Sequence, residues 1–212
     1  MSKKTSRILA GAAIAGAAAI GATAMTPGAA EAAKLPGASK SVNVGGGSVN
    51  IRLFDESYNI QRSVANNHFS REVFVNGKIR VTTSGKVKGA NVKAGYLVGC
   101  QMNFGASGGA GIASDFSEDT LLDQDDTQIG AGFELSPGEA GFFPVVNAKI
   151  DGDDVDSFDF TGARGGVAYS GERFGVDGCA GHAQAMAKVT VKVKAPGYVG
   201  NVTVYGKPFS IG

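Results

Sequence analysis

From Met186 to Lys194 the chain reads Met-Ala-Lys-Val-Thr-Val-Lys-Val-Lys, with valines at alternate positions and lysines mostly between them. A period of two has one structural solution. Successive side chains of an extended strand point to opposite faces, so this segment is a β-strand with one core face and one wet face. The alternation recurs along the chain. Val42 and Val44, then Val49, Ile51 and Leu53, flank the turn Gly45-Gly46-Gly47. Val73 and Val75 precede Asn76-Gly77, a dipeptide that predicts a tight hairpin with Ile79-Arg80-Val81-Thr82 as its second arm. The pattern repeats from Val87 to Val98, after Ser84-Gly85. Pro196-Gly197 turns the chain into a last strand through Val199, Val202, Val204 and Phe209. Helical periodicity is scarce. Its best example, Asp55 to Asn67, places Ile60 and Val64 four apart and reads as a loop or one brief helix. The expected fold class is all-β, an antiparallel β-sandwich.

The N-terminal residues point to export. Lys3, Lys4 and Arg7 precede an uncharged stretch from Ile8 to Met25, and Ala30-Glu31-Ala32 offers a small-residue cleavage site. That order is the layout of a secretory signal peptide over residues 1–32. A membrane-spanning helix is the alternative, but Ala and Gly are weakly apolar for a stable anchor. Cleavage would leave a mature chain of about 180 residues, 33–212. Cys100 and Cys179 are the two cysteines. An oxidising compartment makes one disulfide the default expectation, with a pair of buried thiols as the other reading. The net charge of +1 gives no reason to expect a nucleic-acid partner.

The middle of the chain differs from its flanks. Between Gln101 and Ala148 there is no Lys or Arg, while Asp115, Glu118, Asp119, Asp123, Asp125, Asp126, Glu134 and Glu139 all fall there. Before Asp123, the residues Phe104, Ala106, Ala110, Ile112, Phe116 and Leu122 share one parity. Ser107, Asp115, Ser117 and Asp119 share the other. After Asp126, Ile129, Ala131, Phe133 and Leu135 alternate with Gln128, Gly130, Gly132 and Glu134. Two arms flanking Asp123-Gln124-Asp125-Asp126, each apolar on one side, fit a long hairpin with a lipid face and a water face. An acidic surface loop fits as well. Two strands cannot close a barrel alone, whereas several copies of the chain, each donating one hairpin, could.

Other signals carry little chemistry. Gly105 to Gly111 is glycine-rich but lacks the strand-to-helix context of a phosphate loop. Asp151-Gly152-Asp153-Asp154-Val155-Asp156, with Asp159 nearby, could hold calcium through oxygen ligands, or be a solvated turn. His68 and His182 stand far apart without partners in sequence. There is no Gly-x-Ser-x-Gly element, zinc motif or close catalytic carboxylate pair, so no catalytic residue, metal site or cofactor is expected.

Several fragments together resemble the mycobacterial-type porin family. They are Phe69-Ser70-Arg71-Glu72-Val73-Phe74, Gly95-Tyr96 with Gly99, Thr161-Gly162-Ala163-Arg164-Gly165-Gly166-Val167-Ala168, and Val204-Tyr205-Gly206-Lys207-Pro208-Phe209. In order they run through most of the chain from Leu53 to Gly212. The resemblance implies a subunit with a sandwich rim, 33–102 and 149–212, and one barrel hairpin, about 103–148. Eight such hairpins close a barrel in that family, and aspartates near the turn ring its narrowest point. The constriction would then be built from Asp123, Asp125 and Asp126, with Asp115, Asp119 and Glu134 along the lumen. Gln124 interrupts the family's run of adjacent aspartates, and the cysteines are not part of the family pattern. Tryptophan is absent, which leaves Phe104, Phe116, Phe133, Phe142 and Phe143 as membrane-interface anchors.

The implied function is an oligomeric, water-filled, cation-preferring diffusion channel of a mycolic-acid outer membrane. Its partners would be copies of itself, as an octamer, or a related porin subunit, together with outer-membrane lipids, small hydrophilic solutes and cations. The competing reading is a secreted β-sandwich binding protein with an acidic calcium- or partner-binding loop.

Overall fold

The alternating segments become long strands, because a valine-rich period of two buries one face continuously. A computed structural model of the protein describes residues 32–62, 70–101, 133–135, 137–150 and 153–212. No helix occurs among them. Fourteen strands do: β1 (Ala33–Lys34), β2 (Ala38–Val44), β3 (Gly47–Arg62), β4 (Arg71–Gly85), β5 (Gly89–Cys100), β6 (Phe133–Glu134), β7 (Ala140–Pro144), β8 (Ala148–Ile150), β9 (Asp153–Val155), β10 (Ser157–Thr161), β11 (Arg164–Asp177), β12 (Ala183–Ala195), β13 (Tyr198–Tyr205) and β14 (Phe209–Ser210).

The strands form two largely antiparallel sheets. The first runs β1-β3-β4-β11-β6, with β2 also on β3, and the second runs β10-β5-β12-β13, with β7 on β5 and β14 on β12. A small ladder joins β8 to β9. Between the sheets lie Val49, Ile51, Leu53, Val73, Val75 and Val81 from one side and Val92, Val98, Val189, Val191 and Val193 from the other, all essentially without solvent exposure. Burying each such side chain stabilises the fold by roughly 1.5–3 kcal/mol. The all-β antiparallel sandwich expected from the alternation is the architecture observed.

Three local expectations change. Asn76-Gly77 is not a hairpin turn but the middle of β4. Both neighbours of β4 carry one extra residue at this level: the register slips between Phe54 and Ser57 on β3, and between Tyr169 and Glu172 on β11. Gly77 leaves room for the ring of Tyr169, which a Cβ there would strike. Asn76 accepts hydrogen bonds from the Gly171 amide at 2.8 Å and the Ser170 hydroxyl at 3.1 Å, so it fastens the bulge of β11. The second change concerns Asp55 to Asn67. Its first part, to Arg62, is strand rather than loop or helix; Asp55 takes the positive φ of 53° that the β3 bulge requires, and residues 63–67 lie outside the described residues.

The third change concerns the range 103–148. Within it, β7 pairs with β5 from Gly95↔Pro144 to Gly99↔Ala140, and the Leu135 side chain is fully buried. These residues belong to the sandwich. Phe143 is accordingly a core residue against Phe174, and Phe142 sits beneath the ammonium groups of Lys93 and Lys188.

Candidate functional site

The acidic segment is held at one end of the sandwich. β5 ends at Cys100, and the chain leaves through Gln101, whose φ of 53° turns it sharply away from the strand. It returns at β6, which lies parallel to the end of β11 with Phe133 opposite Val176 and Glu134 opposite Asp177. A disulfide joins Cys100 to Cys179, with Cα atoms 5.6 Å apart, and so ties the end of β5 to the end of β11 across the two sheets.

Backbone bonds reinforce the tie. The Gln101 amide donates to the His182 carbonyl at 2.7 Å, Gly138 to Cys100 at 2.9 Å, and Leu135 to Asp177 at 3.0 Å. Arg71 donates to the carbonyls of Cys179 and Gly181, and the C-terminal Gly212 carbonyl accepts from Ala183. The Gln101 side-chain amide donates to the Ala180 carbonyl at 2.6 Å, so the collar is built from backbone groups, a disulfide, one guanidinium and one side-chain amide. No group of metal-binding side chains occurs among the described residues.

A second polar feature lies inside the sandwich. The β3 bulge turns Glu56 inward, where it is 1 % exposed. Tyr96 of β5 donates to Glu56 Oε1 at 3.1 Å, and the hydroxyls of Tyr96 and Tyr169 are 2.9 Å apart. Burial pushes the Glu56 carboxyl up to about 7, against the Tyr96 hydrogen bond, which lowers it. Burial also raises both tyrosines.

The outer face of the first sheet is basic. Arg52 and Arg80 are cross-strand partners, and both stand over the Phe54 ring, 5.5 and 5.3 Å from its centroid. Arg80, Lys78 and Arg164, with Phe54, line a shallow hollow of about 420 Å³ that includes Gly165 and Gly166.

The MspA family model matches residues 45–210, most of the chain and all but the first edge of this sandwich. The chain belongs to the MspA family. No curated protein matches it. MspA-family proteins are porin-type channels, a non-enzymatic class that works as self-associated subunits.

Against the MspA-family expectation, the site residues fall into three groups. Cys100 and Cys179 are bonded as the export argument predicted. Glu134 lies on β6, its backbone at the edge of the first sheet, four residues before the exposed turn at Gly138. Asp115, Asp119, Asp123, Asp125 and Asp126 lie outside the described residues, as does His68. Of the acidic turn weighed for calcium, Asp156 pairs with Lys93 at 2.7 Å. Sequence reading missed Glu56, Tyr96, Tyr169 and Arg71. Glu56 was hidden because the bulge reverses parity: Val49, Ile51 and Leu53 point inward on odd numbers, and Glu56 and Tyr58 do so on even ones.

Proposed function

We propose that this chain is one subunit of an oligomeric, water-filled diffusion channel of the outer, mycolic-acid membrane, preferring cations and passing small hydrophilic solutes. The observation that carries the reading is the family match over residues 45–210, joined to a sandwich that pins both ends of an acidic segment to one collar. In this reading residues 1–32 are removed on export, and each copy contributes residues within 103–132 as a hairpin to a shared barrel. Closing the barrel pairs every backbone group that hydrocarbon would leave unsatisfied. The partners are further copies, an octamer by family likeness, or a related subunit.

The mechanism needs no catalytic residue. A water-filled path removes the cost of dissolving a polar solute in lipid. Selectivity follows from the charge at the narrowest ring, assigned to Asp123, Asp125 and Asp126, with Asp115 and Asp119 along the lumen and Glu134, on β6 at the sandwich edge, at the base of the hairpin. Carboxylates repeated around a confined belt between low-dielectric walls concentrate cations and repel anions.

Planar-bilayer recording of the detergent-extracted protein tests the reading. Steady conductance steps with a cation-selective reversal potential under a salt gradient are expected, and an electrically silent monomer would overturn it. Changing Asp123, Asp125 and Asp126 together to Asn keeps the side-chain size and removes the charge. The conductance steps should persist while the reversal potential moves toward zero. An unchanged reversal potential would transfer the filter to Asp115, Asp119 or Glu134.

A further inference from the structure

The space between the sheets is apolar except along one line that crosses it. Glu56 on β3, Tyr96 on β5 and Tyr169 on β11 form a chain of side-chain hydrogen bonds from the first sheet to the second and back. A carboxylate in such surroundings needs several donors to offset lost hydration. Here one hydroxyl reaches Oε1, and Oε2 has no hydrogen-bond partner among the described residues. A carboxylic acid suits that place better than a carboxylate.

The groups around Glu56 supply no counter-charge. The titratable groups facing it are Tyr96 from β5 and Tyr169 from β11. Leu53 of its own strand, Ala187 of β12 and Gly206 from the β13–β14 connection close the remaining side, and a Cβ on Gly206 would come within 3.2 Å of Oε2. Asp55, next in sequence, is turned to the outside and pairs with Lys78; Lys207, next to Gly206, is exposed. The Gly206 amide donates to the Ala187 carbonyl at 2.9 Å, which keeps this cover shut.

We propose that Glu56 is a proton-operated latch between the two sheets. In either state the two tyrosine hydroxyls join it to β5 and β11; protonated, it carries no charge into that apolar space, and the seam stays closed. Ionised, it draws water toward Oε2 and loosens the seam beneath Gly206. The direction follows from linkage. The folded carboxyl titrates near 7 and the unfolded one near 4.5, so the folded state binds more protons between those values. The latch's contribution is complete below pH 4.5 and is lost as pH rises through about 7. The folding equilibrium should weaken on the order of a hundredfold across that window.

Amide hydrogen exchange of the full chain at about pH 5 and about pH 8, corrected for intrinsic rates, reads this out. Protection of Gly206 and Ile211, whose amides bond to Ala187 and Ala183, should fall at the higher pH in the parent and stay level in Glu56→Gln. The same fall in both proteins would overturn the latch. Infrared spectroscopy of the parent gives a measurement that needs no Glu56 variant to fold. A protonated-carboxyl band should vanish near pH 7, and Tyr96→Phe should move that midpoint upward by removing the hydroxyl that favours the ionised form. A Glu56 already ionised at pH 5 would likewise overturn the proposal.

Discussion

Gly77 sits where two strands bulge on either side of a third. β3 carries an extra residue opposite Asn76–Lys78 and β11 one opposite Val75–Gly77, and Glu56 and Tyr169 meet inside the sandwich at this level. Gly77 is the residue that lets Tyr169 cross β4 at close range. Gly77→Ala should therefore displace Tyr169 and cost about 1–3 kcal/mol, as inserted methyl groups in filled sites do. Urea unfolding would show this as a lower midpoint with little change in slope. The Asn-Gly signal was read as a turn because that dipeptide supplies the left-handed residues of a two-residue hairpin. Here Gly supplies space and Asn supplies an acceptor for Gly171, uses that leave the same trace in a sequence.

The strands show how far alternation carries and where it stops. β2, β3, β5 and β12 were legible because each keeps one parity over its apolar run: in β12, Lys192 and Lys194 are exposed while Val189, Val191 and Val193 are buried. The end of β3 and the boundary of the acidic segment were not. A bulge restarts the count, and β7, Ala-Gly-Phe-Phe-Pro, has no alternation to read. The collar was half legible, since the cysteines announced themselves while the backbone bonds of Gln101, Leu135 and Gly138 carry no side-chain signal. The disulfide closes 79 residues, and a cross-link of that span restricts the unfolded chain strongly. Replacing both Cys100 and Cys179 with Ser should lower stability by about 2–5 kcal/mol. Denaturant melts should show reductant shifting the parent to the same midpoint and leaving the double variant unmoved.

At the scale of the whole molecule, charge is segregated along the chain. Residues 101–148 hold eight acids and no Lys or Arg, while 33–100 and 149–212 together hold seventeen basic residues and ten acidic ones. The basic sandwich displays Arg52, Arg80 and Arg164 on one outer face and Lys188, Lys192 and Lys194 on the other sheet. In the channel reading the acidic segments meet in the pore and repel one another, which raises some carboxyl pKa values. Cation preference should then weaken as pH falls. It should also weaken in concentrated salt, where the Debye length shrinks to roughly 3 Å at 1 M. Reversal potentials across a pH series and a salt series check both, and a preference indifferent to each would place selectivity elsewhere than in carboxylates.

The Cys100–Cys179 bond also makes the interval between its ends a covalent loop. A single cut in the backbone anywhere from Gln101 to Gly178 would leave one molecule, not two, until a reductant parts the pieces. The acidic segment could thus be opened, replaced or lengthened while the two halves of the sandwich remain chained to each other.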